Sequence, residues 1–313
     1  MRAPRALIPL LAVCGAAAVV VTAGAGAAIE GAPNLGPALA DGAREVPAAT
    51  ITAMTWNVCG DSASGCPLGS RPADLVREIP RQVADVRVGG RKVDMDAVFL
   101  QDICSGEVAA LRKTSRFKAW SWEFAAYRGS DGAPRKCANG QGSFGVAIGS
   151  RERLTDVRTT ELPSPSTVRR VALCGQAAAW HTKLCTARLS STGWNDDPNG
   201  AWRRKQAQKV AEAAGTGRVV FGGDLGEQPE SRNLDVLYRD YAECDQGPGT
   251  ARTGAKTRQD AAGTPVEKTD YLFAYAPAGI SCGVPETPVR SSDHRPVGAV
   301  VRFPDHEATI EAR

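Results

Sequence analysis

The chain has 313 residues, 42% of them hydrophobic, and 38 Lys and Arg against 34 Asp and Glu, for a formal net charge of +4. That is enough apolar material for one large core or two modest ones. The near balance of charge argues against strong non-specific binding to DNA, and no second segment is apolar enough to span a bilayer.

Residues 1–28 are read as a secretory signal peptide. Arg2 and Arg5 form a charged start, Ala6 to Val21 is an unbroken apolar run, and Ala23-Gly24-Ala25 and Ala25-Gly26-Ala27 offer small-residue cleavage sites. An uncleaved anchor is the alternative. Removal takes away two arginines and no acid, leaving 36 basic and 34 acidic residues, a net of +2. Nine cysteines less Cys14 leave eight, an even number that suits four disulfides in an exported chain. Order and proximity favour Cys59–Cys66, Cys104–Cys137, Cys174–Cys185 and Cys244–Cys282. A zinc site lacks the Cys-x-x-Cys spacing and histidine partners it needs.

Residues 29–48, rich in Ala, Gly and Pro, read as a flexible lead. Ile51 to Val58 is a first strand with Asn57 near its end, either a cap or a metal or phosphate contact. Pro72 to Val86 carries Leu75, Val76, Ile79 and Val83 at helical spacing, with a kink expected at Pro80. Asp96 to Asp102 is a buried strand stopping on an acid, which is costly there unless paired or bound to a cation. Ser105 is placed as the cap of a short helix through Leu111. Ala119 to Tyr127 and Phe144 to Ile148 are strands around a basic loop, Arg128 to Ser143, that either touches phosphates or is solvated. Val168 to Cys174 and Lys183 to Leu189 form a hairpin, and a helix follows over Ala201 to Ala214. Arg218 to Phe221 is a strand leading to Gly222-Gly223-Asp224, Asn233 to Tyr241 is a short helix, and Lys268 to Ala274 is a strand bearing Asp270. Ser291-Ser292-Asp293-His294-Arg295-Pro296 then sits ahead of the apolar run from Val297, and the tail after Phe303 reads as loose. Strands alternate with helices and no linker is evident, so one α/β domain over 49–304 is expected.

Asn57, Asp102, Asp224 and Asp270 thus fall at strand ends, joined by Asp293-His294. Oxygen ligands gathered there suit a hard cation that activates water and steadies phosphoryl charge. No Gly-x-Ser-x-Gly or Walker signature is present. The order Thr55-Trp56-Asn57-Val58, Phe99-Leu100-Gln101-Asp102, Phe144-Gly145-Val146-Ala147, Cys185-Thr186-Ala187-Arg188-Leu189, Gly222-Gly223-Asp224-Leu225-Gly226, Lys268 to Phe273 and Ser292-Asp293-His294-Arg295-Pro296 resembles the landmarks of the endonuclease/exonuclease/phosphatase superfamily.

The resemblance implies a four-layer sandwich, two mixed β-sheets packed face to face with helices outside, which the cysteines and the absence of a linker make a disulfide-stapled single domain. It implies phosphoester hydrolysis dependent on Mg²⁺, or Mn²⁺ or Ca²⁺. Asn57, Asp102 and Asp293 are the metal positions it gives. Asp224 orients or deprotonates water, Asp270 supports the site, and Asp293 fixes the tautomer of His294, which contacts the phosphate. Three positions depart from the pattern. Asp102 replaces the usual Glu, Gly226 replaces an Asn, and Arg188 replaces a second histidine, exchanging a proton carrier for a fixed cation that grips phosphate. The expected protein is a secreted, monomeric phosphodiesterase or nuclease without stable membrane association. The alternative is a degenerate member that binds an anion or partner without turnover. Arg203, Arg204 and Lys205 beside Trp194 and Trp202 either grip a nucleic-acid backbone or form a solvated face.

Overall fold

The structure, a computed structural model, describes residues 44–308 except 166–167, 192–196, 198 and 248–250. The expected signal peptide, the lead as far as residue 43, and Trp194 lie outside the described residues. Twelve strands form the body: β1 (Ala49–Asn57), β2 (Ala97–Cys104), β3 (Ser121–Ala126), β4 (Phe144–Ser150), β5 (Leu154–Glu161), β6 (Val171–Ala177), β7 (Thr182–Arg188), β8 (Val219–Asp224), β9 (Ala242–Glu243), β10 (Asp270–Ala274), β11 (Gly279–Gly283) and β12 (Val297–Phe303). Four helices accompany them: α1 (Pro72–Asp85), α2 (Ser105–Leu111), α3 (Ala201–Ala214) and α4 (Asp235–Asp240).

The strands make two six-stranded mixed sheets, ordered β11-β12-β1-β2-β4-β3 and β9-β10-β8-β7-β6-β5. Each has one central parallel pair, β1 with β2 and β7 with β8, and antiparallel neighbours on both sides. Side-chain alternation divides the apolar residues into three layers. Ile51, Phe99, Val146, Leu184, Val220 and Leu272 fill the space between the sheets. Trp56, Val98 and Leu100 face outward onto Leu75 and Ile79 of α1 and Val108 of α2. Phe221 and Phe273 face the other way, onto Val210 of α3 and Leu237 of α4. Three apolar interfaces between four layers make the expected sandwich, and all of it is one domain.

Gly222 lets the sheets close. An added Cβ there would lie 2.5 Å from Phe99 Cδ2 and 3.0 Å from Thr55 Cβ of the facing sheet. Gly222→Ala should therefore destabilise the fold by about 1–3 kcal/mol through overpacking. Urea unfolding checks this, and an unchanged midpoint would show that the sheets can part freely.

The four disulfides join the expected pairs, Cys59–Cys66, Cys104–Cys137, Cys174–Cys185 and Cys244–Cys282. Cys174 and Cys185 are directly opposed in the β6–β7 hairpin. Other expectations change. α1 runs unbroken through Pro80. The cap of α2 is Cys104, whose N–H donates to Glu107, rather than Ser105. β5 has no counterpart in the sequence reading, because its middle residues are exposed and, Val157 apart, polar, with no apolar alternation. The end of the lead and the start of the tail are not loose, since Arg44–Val46 pairs antiparallel with His306–Ala308.

Candidate active site

The two parallel pairs both end at one rim of the sandwich. Arg188, Asp224 and Asp270 stand opposite one another across β7, β8 and β10, so their side chains share the inner face. On the facing sheet Asn57 is in register with Gln101. Strict alternation would turn Asp102 outward, but the β2–β4 register shifts between Gln101 and Ile103, and Asp102 has φ +54°. This bulge reverses the phase of the strand. Ile103 joins the outer layer, Cys104 the inner one, and Asp102 is turned toward the rim. Aspartate is among the few residues that accept a left-handed backbone.

The loop before β12 is pinned over the end of β1. Trp56 Nε1 donates to the His294 carbonyl at 2.9 Å. The Ser292 hydroxyl donates to the Asn57 carbonyl at 2.8 Å and accepts the His294 N–H at 3.0 Å. His294 Nδ1 is then 2.7 Å from Asp270 Oδ2, which also accepts from the hydroxyls of Thr257 at 2.7 Å and Thr269 at 3.1 Å. The opposite ring nitrogen, Nε2, lies 3.9 Å from Asp224 Oδ2 and 4.0 Å from Asp293 Oδ2.

A second network is centred on Arg188. Its Nε is 3.0 Å from both Asp102 Oδ2 and Asp224 Oδ2. Asn57 Nδ2 donates to Asp224 Oδ2 at 2.9 Å and, more distantly, to Asp102 Oδ2 at 3.4 Å. Asn57 Oδ1 is used by the Cys59 N–H. Tyr127 donates to Asp102 Oδ1 at 3.2 Å, and the Gly226 N–H donates to Asp224 Oδ1 at 3.0 Å. Buried Arg170 stacks on the Tyr127 ring.

Burial opposes charge on His294, but Asp270 and Asp224 outweigh it and push the imidazole up to about 10. Burial likewise works against ionised Asp224, yet His294 and Arg188 hold its carboxyl below the ordinary value. Arg188 is raised despite its burial, because Asp102 and Asp224 flank it. His294 is therefore charged at neutral pH. Its stabilising contribution is complete below about 6.5, the ordinary histidine value, and is lost as pH rises through about 10. Asp270→Asn should return the His294 titration, followed by NMR, toward 6.5. A midpoint left near 10 would mean that Asp270 is not its main partner.

The structure thus gathers His294, Asp270, Asp224, Asp102, Asn57 and Arg188, and corrects some roles. Asp270, not Asp293, holds His294 Nδ1; the Asp293 side chain is about half exposed. Asn57 turns its amide nitrogen, a donor, toward the carboxylates. Gly226 is more than a missing contact. It has φ +61°, and an added Cβ would lie 2.7 Å from the Ser190 carbonyl oxygen. Arg203 is buried in ion pairs with Asp197 and Glu227, so it is not available to grip nucleic acid. Lys205 lies 5.1 Å over the Trp202 ring. Sequence reasoning passed over Tyr127, Arg170, Thr257 and Thr269; only Thr269, next to Asp270, had a local signal. A cavity of about 880 Å³ along α3 and α4 includes none of these site residues.

A double mixed sheet with an acid-bound histidine and clustered aspartates at its parallel-strand ends defines a class of α/β sandwich proteins. The sequence profile of the Endonuclease/Exonuclease/phosphatase family matches residues 54–294, and the chain belongs to that family. Solved structures agree on the fold. The chain is 20% identical to TDP2 of D. rerio, humanised by 14 mutations, with a TM-score of 0.56 over 80% of this chain and 98% of that one. It is 14% identical to the human Nocturnin catalytic domain with bound sulfate, with a TM-score of 0.55 over 80% and 93% of the two chains. For a mannosyl-6-phosphatase of Bacteroides thetaiotaomicron the values are 14%, 0.53, 81% and 100%. No curated protein matches the chain in sequence.

Members of this family generally depend on a divalent metal ion. The residues at Asp102 and Asp224 do not fit one. The partners of these carboxylates are a guanidinium, an amide nitrogen, a phenol and a backbone N–H, all of them donors and none a ligand. Asp224, Asp270 and His294 bring possible ligand atoms within 4.8 Å of one another, but His294 Nδ1 is committed to Asp270. Asp270 Oδ1 and Asp293 Oδ1 are buried atoms without a hydrogen-bond partner, yet they lie on the histidine side of the site rather than on Asp102.

Proposed function

We propose that this protein hydrolyses phosphoesters, in the first instance phosphodiesters, with His294 and Asp224 as its reacting groups. The observation that carries this reading is the His294 ring, held by Asp270 at Nδ1 and turned toward Asp224 at Nε2. A phosphate seated at Nε2 meets a charged donor, and Arg188 supplies a second cation close by. Water attacks phosphorus and gives its proton to Asp224 while the ester P–O bond breaks. The His294 Nε2 proton passes to the departing oxygen, leaving neutral alcohol. The Mg²⁺, Mn²⁺ or Ca²⁺ expected from the family resemblance enters no step, because the carboxylates it would share are already occupied.

A nucleic-acid substrate draws support from TDP2 of D. rerio, whose structure holds a single-strand DNA product. Export draws support from the four disulfides and the signal-like start of the chain. Among the described residues no helix is long and apolar enough to cross a membrane. A second reading, anion binding without turnover, is favoured by one fact. Asp224 is held below its ordinary value and is therefore a weak base.

The test is hydrolysis of plasmid DNA, RNA and bis-p-nitrophenyl phosphate by the oxidised protein, beside Asp224→Ala and His294→Ala. Cleavage lost in both variants supports the hydrolase. Cleavage that survives both removes this site assignment, and a folded protein silent on every substrate favours anion binding.

A further inference from the structure

We infer that the Arg188 guanidinium takes the place of the divalent cation in this chain, so that the site is charge-balanced and handles anions without a metal ion. The inference deepens the phosphoester reading and rests on it for the charge of the substrate.

Asp102 and Asp224 belong to different sheets, and both are almost wholly buried. Two carboxylates brought this close need a shared cation. Arg188 lies 3.0 Å from an oxygen of each through the same nitrogen, Nε. It cannot be neutralised near physiological pH, so a second cation at those oxygens would face a fixed positive charge across a few ångströms of buried space. Asn57 reinforces the arrangement by directing its amide nitrogen at the same two oxygens. Buried Arg170 adds a further positive charge that acts on Asp102 and Asp224. The buried Asp102, Asp224 and Asp270 are thereby matched by Arg188, Arg170 and His294, with the half-exposed Asp293, 4.0 Å from the His294 ring, as one further acid at the solvent edge. A dication added to this set would leave the site with a surplus of buried positive charge.

Arg188 still has a role toward substrate. Its close contacts to the two carboxylates are made by Nε, and the two terminal nitrogens make no further hydrogen bond to them. Those nitrogens carry the donors that suit two phosphoryl oxygens. One side chain then neutralises the aspartates and recognises the anion, two tasks that a metal ion would otherwise combine.

Mn²⁺ binding by electron paramagnetic resonance, and thermal unfolding in EDTA or millimolar Mg²⁺, test this on the full oxidised protein. Wild type should show no saturable Mn²⁺ binding below millimolar, and the same melting temperature in both buffers. Arg188→Gln, which removes the charge but keeps an amide, should gain Mn²⁺ affinity by roughly tenfold or more and melt higher with Mg²⁺ than with EDTA. Arg188→His provides the same readout if the glutamine variant does not fold. Sub-millimolar Mn²⁺ binding by wild type that disappears in Asp102→Asn would overturn the inference.

Hydrolysis separates this idea from the reading beneath it. Cleavage that persists in EDTA supports both. Cleavage abolished by EDTA and restored by Mg²⁺ overturns the arginine substitution and leaves the phosphoester reading standing. Wild type that neither cleaves nor binds Mn²⁺ supports the substitution and removes the hydrolase.

Discussion

Replacing His294 with alanine should lower phosphodiester hydrolysis by about 10²–10⁴-fold, the usual cost of losing a general acid or base. The effect belongs near the upper end, because in the proposed mechanism the imidazole both contacts the phosphate and protonates the leaving oxygen. Stability will fall as well, since alanine strips Asp270 of its charged partner and leaves that buried carboxylate with only the hydroxyls of Thr257 and Thr269. His294→Gln separates the two effects. Its amide can still reach a carboxylate but cannot deliver a proton, so activity should remain low while the melting temperature partly recovers. The pH profile supplies an independent check. A general acid acts only while it holds its proton, so wild-type activity should persist into alkaline solution and fall as pH rises through about 10. A wild-type rate that halves near 6.5 would mean that the reacting histidine is unshifted, and that Asp270 and Asp224 do not act on it as their positions suggest.

The second large effect concerns folding. Arg188→Leu should destabilise the protein by about 3–5 kcal/mol, the range for removing one partner from a buried ion pair. The Arg188 side chain is only 12% exposed, and both carboxylates left behind are buried between the sheets. The direction with pH follows from Asp224. Its carboxyl is held below the ordinary value, so the stability it contributes is present above the unfolded value of 3.8 and is lost as pH falls through the folded one. The gap between wild type and Arg188→Leu should be widest near neutrality and narrow in acid, where protonation relieves the orphaned pair. Urea titrations at neutral and acidic pH measure it. A neutral-pH difference under about 1 kcal/mol would place Arg188 among exposed pairs of little consequence.

Much of this site is visible in the sequence because its acids interrupt apolar runs. Asp102 and Asp224 close stretches that read as core strands and Asp270 stands near the start of another, and charge in such places demands a partner. The disulfides are visible because each joins neighbours in cysteine order. What the sequence hides is contact between sheets. Arg188 lies on one sheet and Asp102 on the other, so no spacing rule joins them. The inward turn of Asp102 is hidden too, since it depends on a backbone bulge that two adjacent polar residues do not announce. Adjacency also misled, for Asp293 precedes His294 in the chain while the carboxylate at Nδ1 arrives on β10 from Asp270. Strand β5 and the pairing of Arg44–Val46 with His306–Ala308 escaped because neither has an alternating apolar face to betray it.

The positions of two disulfides bear on how firmly the site is held. Cys59 follows Asn57 by two residues and donates its N–H to the Asn57 side chain, and Cys104 follows Asp102 by two. Their bonds to Cys66 and Cys137 tether the chain just beyond the residues that flank Arg188. The two bonds therefore brace the ends of the strands that carry the arginine clamp. Reduction would release both tethers and leave Asn57 and Asp102 on strand ends braced only by backbone pairing and packing. In a hydrolase of the kind proposed, these two staples would tie the geometry of the reacting rim to the redox state of its surroundings.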